Sequence, residues 1–361
     1  MNILFLGTYR QADGWGYASY DYLQALKTTS HNITARPIFL GKNLRSDLPD
    51  DIIRMEEKTY SSYDLIIQNT LPQYFEYTNT PRSLGLFFIE VKSGPFFVWK
   101  RYIDLMDECW LSSQLEINYL RNAGVSTKLT KINMPIDTSI FKQAYKPLPG
   151  IPQDTFNFYF IGEYTHRKDI MALIVAFQRE FRSDEPVELI IKTSGNLENI
   201  RKDMENLKYT LKLYSQQYCY KEEKVITHFL SQEEMCQLHT ACDCFVIPSS
   251  GEACCRPAME AMGFGNTPIV NKNTGMTEFV TDKTGYLVNS YETPILSPSS
   301  PISELYDGKS TWFKIDIIDL QKKMRMAYQN QSHKQIKAKL GKKKIMDFDY
   351  KKIGEQIKNI L

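Results

Sequence analysis

The stretch that most narrows what this chain can fold into is residues 248–270, PSSGEACCRPAMEAMGFGNTPIV. Residues 244–248 are an apolar, β-rich run after Asp243 and read as a buried strand. Residues 249–256 read as a loop, with Gly251 for its sharp turn. Pro257 suits the first helical position, where a missing N–H costs nothing. Gly263 and Gly265 then read as the end of that short helix, before a second strand. A loop that enters a helix N-terminus at the carboxyl end of a strand presents free N–H groups and the positive end of a dipole. Two carboxylates, Glu252 and Glu260, stand there eight residues apart. An anion-binding turn flanked by carboxylates can hold sugar hydroxyls beside a phosphate.

The rest of the chain supplies sheets for such a turn. Its 361 residues are too many for one ordinary core and suit two domains. Residues 2–7 read as a buried first strand, and residues 63–68, 84–90, 108–112 and 128–132 continue a parallel sheet with helices at 18–27, 99–106 and 114–122. Glu90 falls at the predicted end of its strand. Residues 134–154 carry four prolines and a glycine and read as a linker. The pattern then restarts, with strands at 156–161, 187–192 and 224–227 and helices at 170–181, 196–217 and 231–241. The last of these opens on a capping box, Ser231 with Glu234. Residues 289–310 read as an excursion without regular structure, and 316–328 as an amphipathic helix.

Charge and cysteine use exclude some classes. The 44 basic and 42 acidic residues nearly cancel, so net charge gives no sign of a nucleic-acid binder. Residues 331–361 hold nine Lys against Asp347, Asp349 and Glu355, a local excess of +6 that leaves −4 for the remainder. This basic tail suits a solvated helix, with an anionic membrane surface or an acidic acceptor as the sharper alternative. Seven cysteines without framework spacing, and a start lacking a basic leader, point to a cytoplasmic protein. Cys242 and Cys244 alternate as strand residues do, and neither a Cys-x-x-Cys pair nor paired histidines suggest zinc. The loop at 8–17 holds Gly14 and Gly16, which let a backbone approach a ligand. It is a poor dinucleotide fingerprint, because the third glycine is missing and no acid closes the next strand at 33–40.

The string Pro-Ser, Glu, seven residues, Glu-Ala-Met, then Gly and Pro-Ile-Val, resembles the signature of retaining, nucleotide-sugar-dependent glycosyltransferases of the GT-B fold, family 4. The resemblance extends to residues 84–140 and 156–288, and more weakly across the whole chain. It implies two Rossmann-like domains facing a cleft: 1–145 on the acceptor side, 146–340 binding the nucleotide sugar, and 341–361 a helix returning to the first domain. It implies that Glu252 touches the donor sugar and Glu260 the ribose. Arg167 and Lys168 would neutralise the leaving β-phosphate, although Glu163 stands where the family has a first Arg. Ala253, Cys254 and Cys255 replace the family's Gly-Phe-Gly and would offer backbone N–H groups to the sugar. Lys192, His228 and Phe229 fall where phosphate and base contacts are made, and Gly14 and Gly16 would lie under the phosphates. Tyr17 and Glu90 would face the acceptor, with Glu90 in place of a family His and a candidate general base.

The expected activity is metal-independent transfer of a sugar from a UDP- or GDP-linked donor to an acceptor hydroxyl with retention. In that scheme Glu252, Glu90 and Lys168 carry the catalysis. A glycan, lipid, protein or modified nucleic-acid acceptor is left open. Three alternatives stand beside it: a catalytically impaired sugar- or nucleotide-binding module, suggested by Glu163 and the Ala-Cys-Cys replacement, an NAD-linked oxidoreductase, and a phosphorylase- or nucleotidase-like use of the same fold with inorganic phosphate or water as acceptor.

Overall fold

The computed structural model describes residues 1–41, 43–45, 48–94, 97–213, 221–296 and 309–361. The described chain forms two compact units, one holding Met1–Thr138, residues 309–311 and Asp347–Leu361, the other Ser139 to residue 296 and Trp312–Met346.

In the first unit the elements are β1 (Asn2–Gly7), α1 (Gly14–Lys27), β2 (Asn32–Pro37), α2 (Asp50–Glu57), β3 (Leu65–Asn69), β4 (Arg82–Leu86), α3 (Lys100–Ile103), β5 (Glu108–Leu111), α4 (Gln114–Asn122) and β6 (Lys128–Lys131). The six strands are all parallel, in the order β2-β1-β3-β4-β5-β6. Burial of both sheet faces accounts for the nearly continuous apolar runs. Three expectations need correction. Helix α1 starts at Gly14, because Asp13 caps it by accepting from Gly16 N, so Gly14, Gly16 and Tyr17 belong to its first turn and not to the loop. Strand β4 ends at Leu86, four residues before Glu90. Phe87, Phe88 and Ile89 are buried but off the ladder, and Ile89 N–H is satisfied by the Glu116 carboxylate at 2.8 Å. Helix α2, with Ile52 and Met55 turned inward, had no counterpart in the pattern reading.

The second unit repeats the plan with β7 (Phe156–Ile161), α5 (Ile170–Glu180), β8 (Val187–Lys192), α6 (Leu197–Thr210), β9 (Lys224–Ile226), α7 (Gln232–Ala241), β10 (Cys244–Ile247), α8 (Arg256–Phe264), β11 (Thr267–Asn271) and β12 (Tyr286–Val288). Its six parallel strands run β12-β11-β10-β7-β8-β9, and every residue of β7, β10 and β11 is buried. Helix α8 places Pro257 second and contains Gly263, and Gly265 ends it at φ 90°, a conformation that favours glycine. The expected excursion at 289–310 is partly regular. A ribbon of β13 (Ser290–Pro294) and β14 (Thr311–Ile315) stands apart from the main sheets, and residues 297–308 lie outside the described residues. The far end of the helix expected at 196–217 also falls outside them. Helices α9 (Ile317–Gln329) and α10 (Gln331–Ile345) complete this unit. The chain then enters α11 (Tyr350–Ile360), which packs against α1 in the first unit.

Candidate active site

In a parallel sheet all strands point the same way, so their carboxyl-end loops gather on one edge. The edge opens where the strand order reverses. In the second unit that point lies between β7 and β10: the chain runs from β7 outward through β8 and β9, then returns to β10 on the other side of β7. The two loops flanking this crevice are the ones singled out by motif. The loop after β7 carries Arg167 and Lys168, and the loop after β10 carries Glu252.

The structure brings these three side chains together. Lys168 Nζ lies 2.6 Å and Arg167 Nη1 2.9 Å from the same Glu252 oxygen, Oε1. Arg167 Nη1 also donates to Gly251 O at 2.7 Å. The cluster is mostly shielded, with side-chain exposures of 16% for Arg167, 13% for Lys168 and 4% for Glu252. Burial pushes the Glu252 carboxyl up, but the two cations outweigh it and hold it below the usual carboxylate range. Main-chain bonds join the loops: Ser250 N donates to Arg167 O at 2.7 Å, and Ser249 Oγ to the same oxygen at 3.1 Å. Gly275 N, at the start of the turn after β11, donates to Glu252 O at 2.8 Å.

The helices that follow both loops begin on strained residues. Asp169, the N-cap of α5, has φ 50°, and Cys255, the N-cap of α8, has φ 73°. Left-handed backbone costs a non-glycine residue on the order of 1–2 kcal/mol. Such strain concentrates at functional sites. Ala253, Cys254 and Cys255 line the turn between Glu252 and α8 and are all buried. Burial pushes the Cys255 thiol up to about 12.

Glu260 sits in a second cluster. Its Oε1 is 3.3 Å from Arg256 Nη1, and its Oε2 is 3.5 Å from His239 Nε2. Behind it, His239 Nδ1 and Tyr159 Oη share a hydrogen bond of 2.7 Å, and Asn266 Nδ2 donates to Tyr159 Oη and to His239 O. Burial raises the Glu260 carboxyl, yet Arg256 and His239 bring it below its ordinary value. Lys192, at the end of β8, is half-buried, and burial lowers its ammonium. Its Nζ donates to Thr193 O. His228 and Phe229 follow β9 on the same edge and are exposed, Phe229 by 79%. Glu163 is exposed.

The remaining predicted residues belong to the first unit. Gly14 has nothing near its absent Cβ, whereas a Cβ on Gly16 would lie 2.1 Å from Gln11 O. The glycine at 16 is therefore required by the chain's own turn. Tyr17 is half-buried, with the Arg45 guanidinium 4.7 Å from its ring centre and 4.4 Å from that of Tyr20. Glu90 is half-buried in the segment after β4, where Phe88 meets Trp15 of α1 edge-on at 5.1 Å.

Pattern reasoning missed several site residues. His239, Tyr159 and Asn266 are scattered in sequence and converge only through tertiary packing. Ser250 Oγ and Thr193 Oγ1, just past the ends of the two strands beside β7, are buried without a hydrogen-bond partner. Such atoms call for a ligand or an ordered water.

Residues 141–295 match a family model described as glycosyl transferases group 1. No curated protein gives a significant match. Among solved structures, sucrose-phosphate synthase from Thermosynechococcus elongatus superposes with a TM-score of 0.66 at 15% identity, covering 100% of this chain and 98% of that one. HepE from Anabaena, in complex with UDP and glucose, gives 0.66 at 15% identity over 100% and 99%. The E. coli trehalose-6-phosphate protein bound with UDP-2-fluoro glucose gives 0.68 at 10% identity over 100% and 98%. The two six-stranded α/β units thus have the GT-B architecture. With the family match over the second unit, these likenesses support a GT-B glycosyltransferase.

Proposed function

We propose that this chain is a retaining glycosyltransferase of the family-4 type, moving a sugar from a nucleoside-diphosphate donor to an acceptor hydroxyl. The observation that carries this reading is the meeting of Arg167, Lys168 and Glu252 across the switch point of the second unit, inside the family match. Two cations converge there on one carboxylate oxygen, so a diphosphate finds positive charge already assembled. The N-termini of α5 and α8 and the N–H groups of 253–255 add to it. On this reading no resident metal is needed, because those groups meet the charge of the leaving phosphate.

Glu252 positions the donor sugar and Glu260 the ribose, with Lys192, His228 and Phe229 completing the donor side. The C1–O bond to the phosphate breaks while the acceptor oxygen bonds to C1 on the same face. The acceptor proton passes to the leaving phosphate oxygen. Orientation and charge stabilisation are then the protein's contribution. Glu90 and Tyr17 serve the acceptor. The exposed Lys339, Lys342 and Lys343 of α10 offer a surface for anionic membrane, whereas Lys334 is taken up by Asp243 at 2.8 Å. Among the described residues no helix is long and apolar enough to cross a membrane.

UDP is the first base to try, since HepE and the E. coli neighbour were solved with UDP compounds. A thermal-shift panel of UDP, GDP, ADP, their glucose conjugates and NAD tests the proposal on wild type and Glu260→Ala. A ligand at 100 times its Kd stabilises by about 2.7 kcal/mol. The expected result is a shift with one nucleoside diphosphate, larger with its sugar conjugate and weakened in the variant. A shift with NAD alone, or with none of them, overturns the reading.

A further inference from the structure

The family match stops at residue 295, before β14. Yet β14 is fastened to the candidate site from within the second unit. Phe313 N donates to Ser250 O at 2.9 Å, in the loop that carries Glu252. Asn271 Nδ2 donates to Phe313 O at 2.6 Å and to Ser249 O at 3.0 Å, which ties the strand and the loop to the end of β11. The next residue, Lys314, reaches the other loop: its Nζ lies 3.3 Å from Asp169 Oδ2. Asp169 is the left-handed N-cap of α5 and immediately follows Lys168. Its Oδ1 accepts from Ala172 N at 3.4 Å.

The charges give Lys314 a task. Arg167 and Lys168 face the Glu252 carboxylate, and Asp169 brings a second carboxylate beside them at the start of α5. Without Lys314 the two cations and two carboxylates cancel, and Asp169 repels any anion that approaches the helix N-terminus. With Lys314 the group carries a net charge of +1. A lysine held by a strand already bonded to the Glu252 loop keeps Asp169 paired.

We propose that Lys314 is a positioning residue of the donor site: by engaging Asp169 it offsets that carboxylate's charge beside Arg167 and Lys168, where the diphosphate of the donor would bind. This rests on the glycosyltransferase reading and assigns a role in it to a strand outside the family match.

The test measures binding of UDP, inorganic pyrophosphate and uridine by calorimetry to wild type, Lys314→Met, Lys314→Arg and Asp169→Asn, each checked for an unchanged melting profile. Lys314 is 37% exposed on its side chain, so the variants should fold. The expected result is about fivefold weaker UDP and pyrophosphate binding in Lys314→Met, the scale of one partly exposed ion pair. Uridine binding should be unchanged, and Lys314→Arg should restore the wild-type affinity. The double variant with Asp169→Asn should be weakened by less than the single Lys314→Met, because removing the carboxylate removes the need for its partner. Equal UDP affinity in wild type and Lys314→Met overturns this inference and leaves the transferase reading standing. Loss of uridine binding in parallel with UDP shows a merely structural effect and also overturns it. A wild type that binds neither UDP nor pyrophosphate overturns both.

Discussion

At the scale of single residues, the pairing of Glu252 with both Arg167 and Lys168 is the most consequential contact in the second unit. The resemblance to a family signature pointed to all three residues, from two stretches about 85 residues apart. It gave no sign that the acid would hold both cations. Replacing Glu252 by Gln leaves two shielded cations with a neutral partner. Breaking a buried pair costs about 3–5 kcal/mol, and the lower end suits cations that retain some exposure. Thermal denaturation at pH 7 should show about that loss. Since the folded carboxyl titrates below its ordinary value, its contribution is present above about pH 4.3 and disappears as the pH falls through the lower folded value. The gap between wild type and Glu252→Gln should therefore close in acid. Pyrophosphate should raise the melting point of the variant by more than that of wild type, because no carboxylate at position 252 then competes with it for the two cations. An equal rise in both would mean that the pair does not grip phosphate. Gly16 marks the limit of such motif logic. A glycine-rich first loop suggested room for a ligand, but the missing Cβ at 16 makes room for the backbone of Gln11.

At the scale of elements, the two capping boxes show why local signals differ in worth. Ser231 and Glu234 were legible before α7, because the pattern stands alone ahead of a periodic run, and the structure forms both reciprocal bonds. Ser113 and Glu116 make the same box at α4, but there the acid does more. The Glu116 side chain is fully buried and accepts from Ser112 Oγ at 2.6 Å, Ser113 N and Oγ at 2.9 Å, and Ile89 N at 2.8 Å. It thereby stands in for a sheet partner, and β4 can end at Leu86 while its apolar run continues through Ile89. Periodicity cannot see a side chain replacing a ladder bond, which is why Glu90 was expected at a strand end. Urea denaturation should separate the two caps. Ser231→Ala, at an exposed cap, should cost about 1 kcal/mol. Ser113→Ala should cost about 2 kcal/mol, since it also deprives a buried carboxylate of a donor. Burial raises the Glu116 carboxyl to about 7. A group raised in this way stabilises fully below its unfolded value and loses that contribution as the pH climbs through 7. Removing a donor to the charged form deepens the loss. The cost of Ser113→Ala should thus be larger at pH 8 than at pH 5, while Ser231→Ala should vary little over that range.

At the scale of the whole chain, what was legible was the repetition: two runs of parallel strands with helices between, a Pro-rich stretch between them, and a last helix suited to the first unit. What was not legible depended on convergence of distant segments, such as the Tyr159–His239–Asn266 network behind Glu260 and the ribbon whose β14 reaches the site loops. The C-terminal segment joins these two levels. Helix α11 and the turn before it are far from α1 in sequence but bury Phe348, Ile353 and Ile357 in the first unit. Tyr350 Oη donates to the buried Asp21 at 2.5 Å, Gln356 Nε2 to Lys131 O at 2.9 Å, and Ile136 N to Phe348 O at 2.9 Å. Three buried apolar side chains at about 2 kcal/mol each come to roughly 6 kcal/mol, an upper figure because the unfolded chain already shields part of that surface. That is comparable with the whole stability of an ordinary domain, about 5–15 kcal/mol. Deleting residues 347–361 should therefore bring the first unit close to unfolding at 37 °C. Trp99 and Trp110, both buried there, report it as an early red shift in fluorescence. Arg167, Lys168, Lys192, Glu252 and Glu260 all lie in the second unit, so stabilisation by UDP should survive in the truncated chain if the transferase reading holds. An unshifted tryptophan transition would show that α11 adds little to the first unit. Loss of the UDP response with the tryptophan transition unchanged would place part of the donor site in the tail.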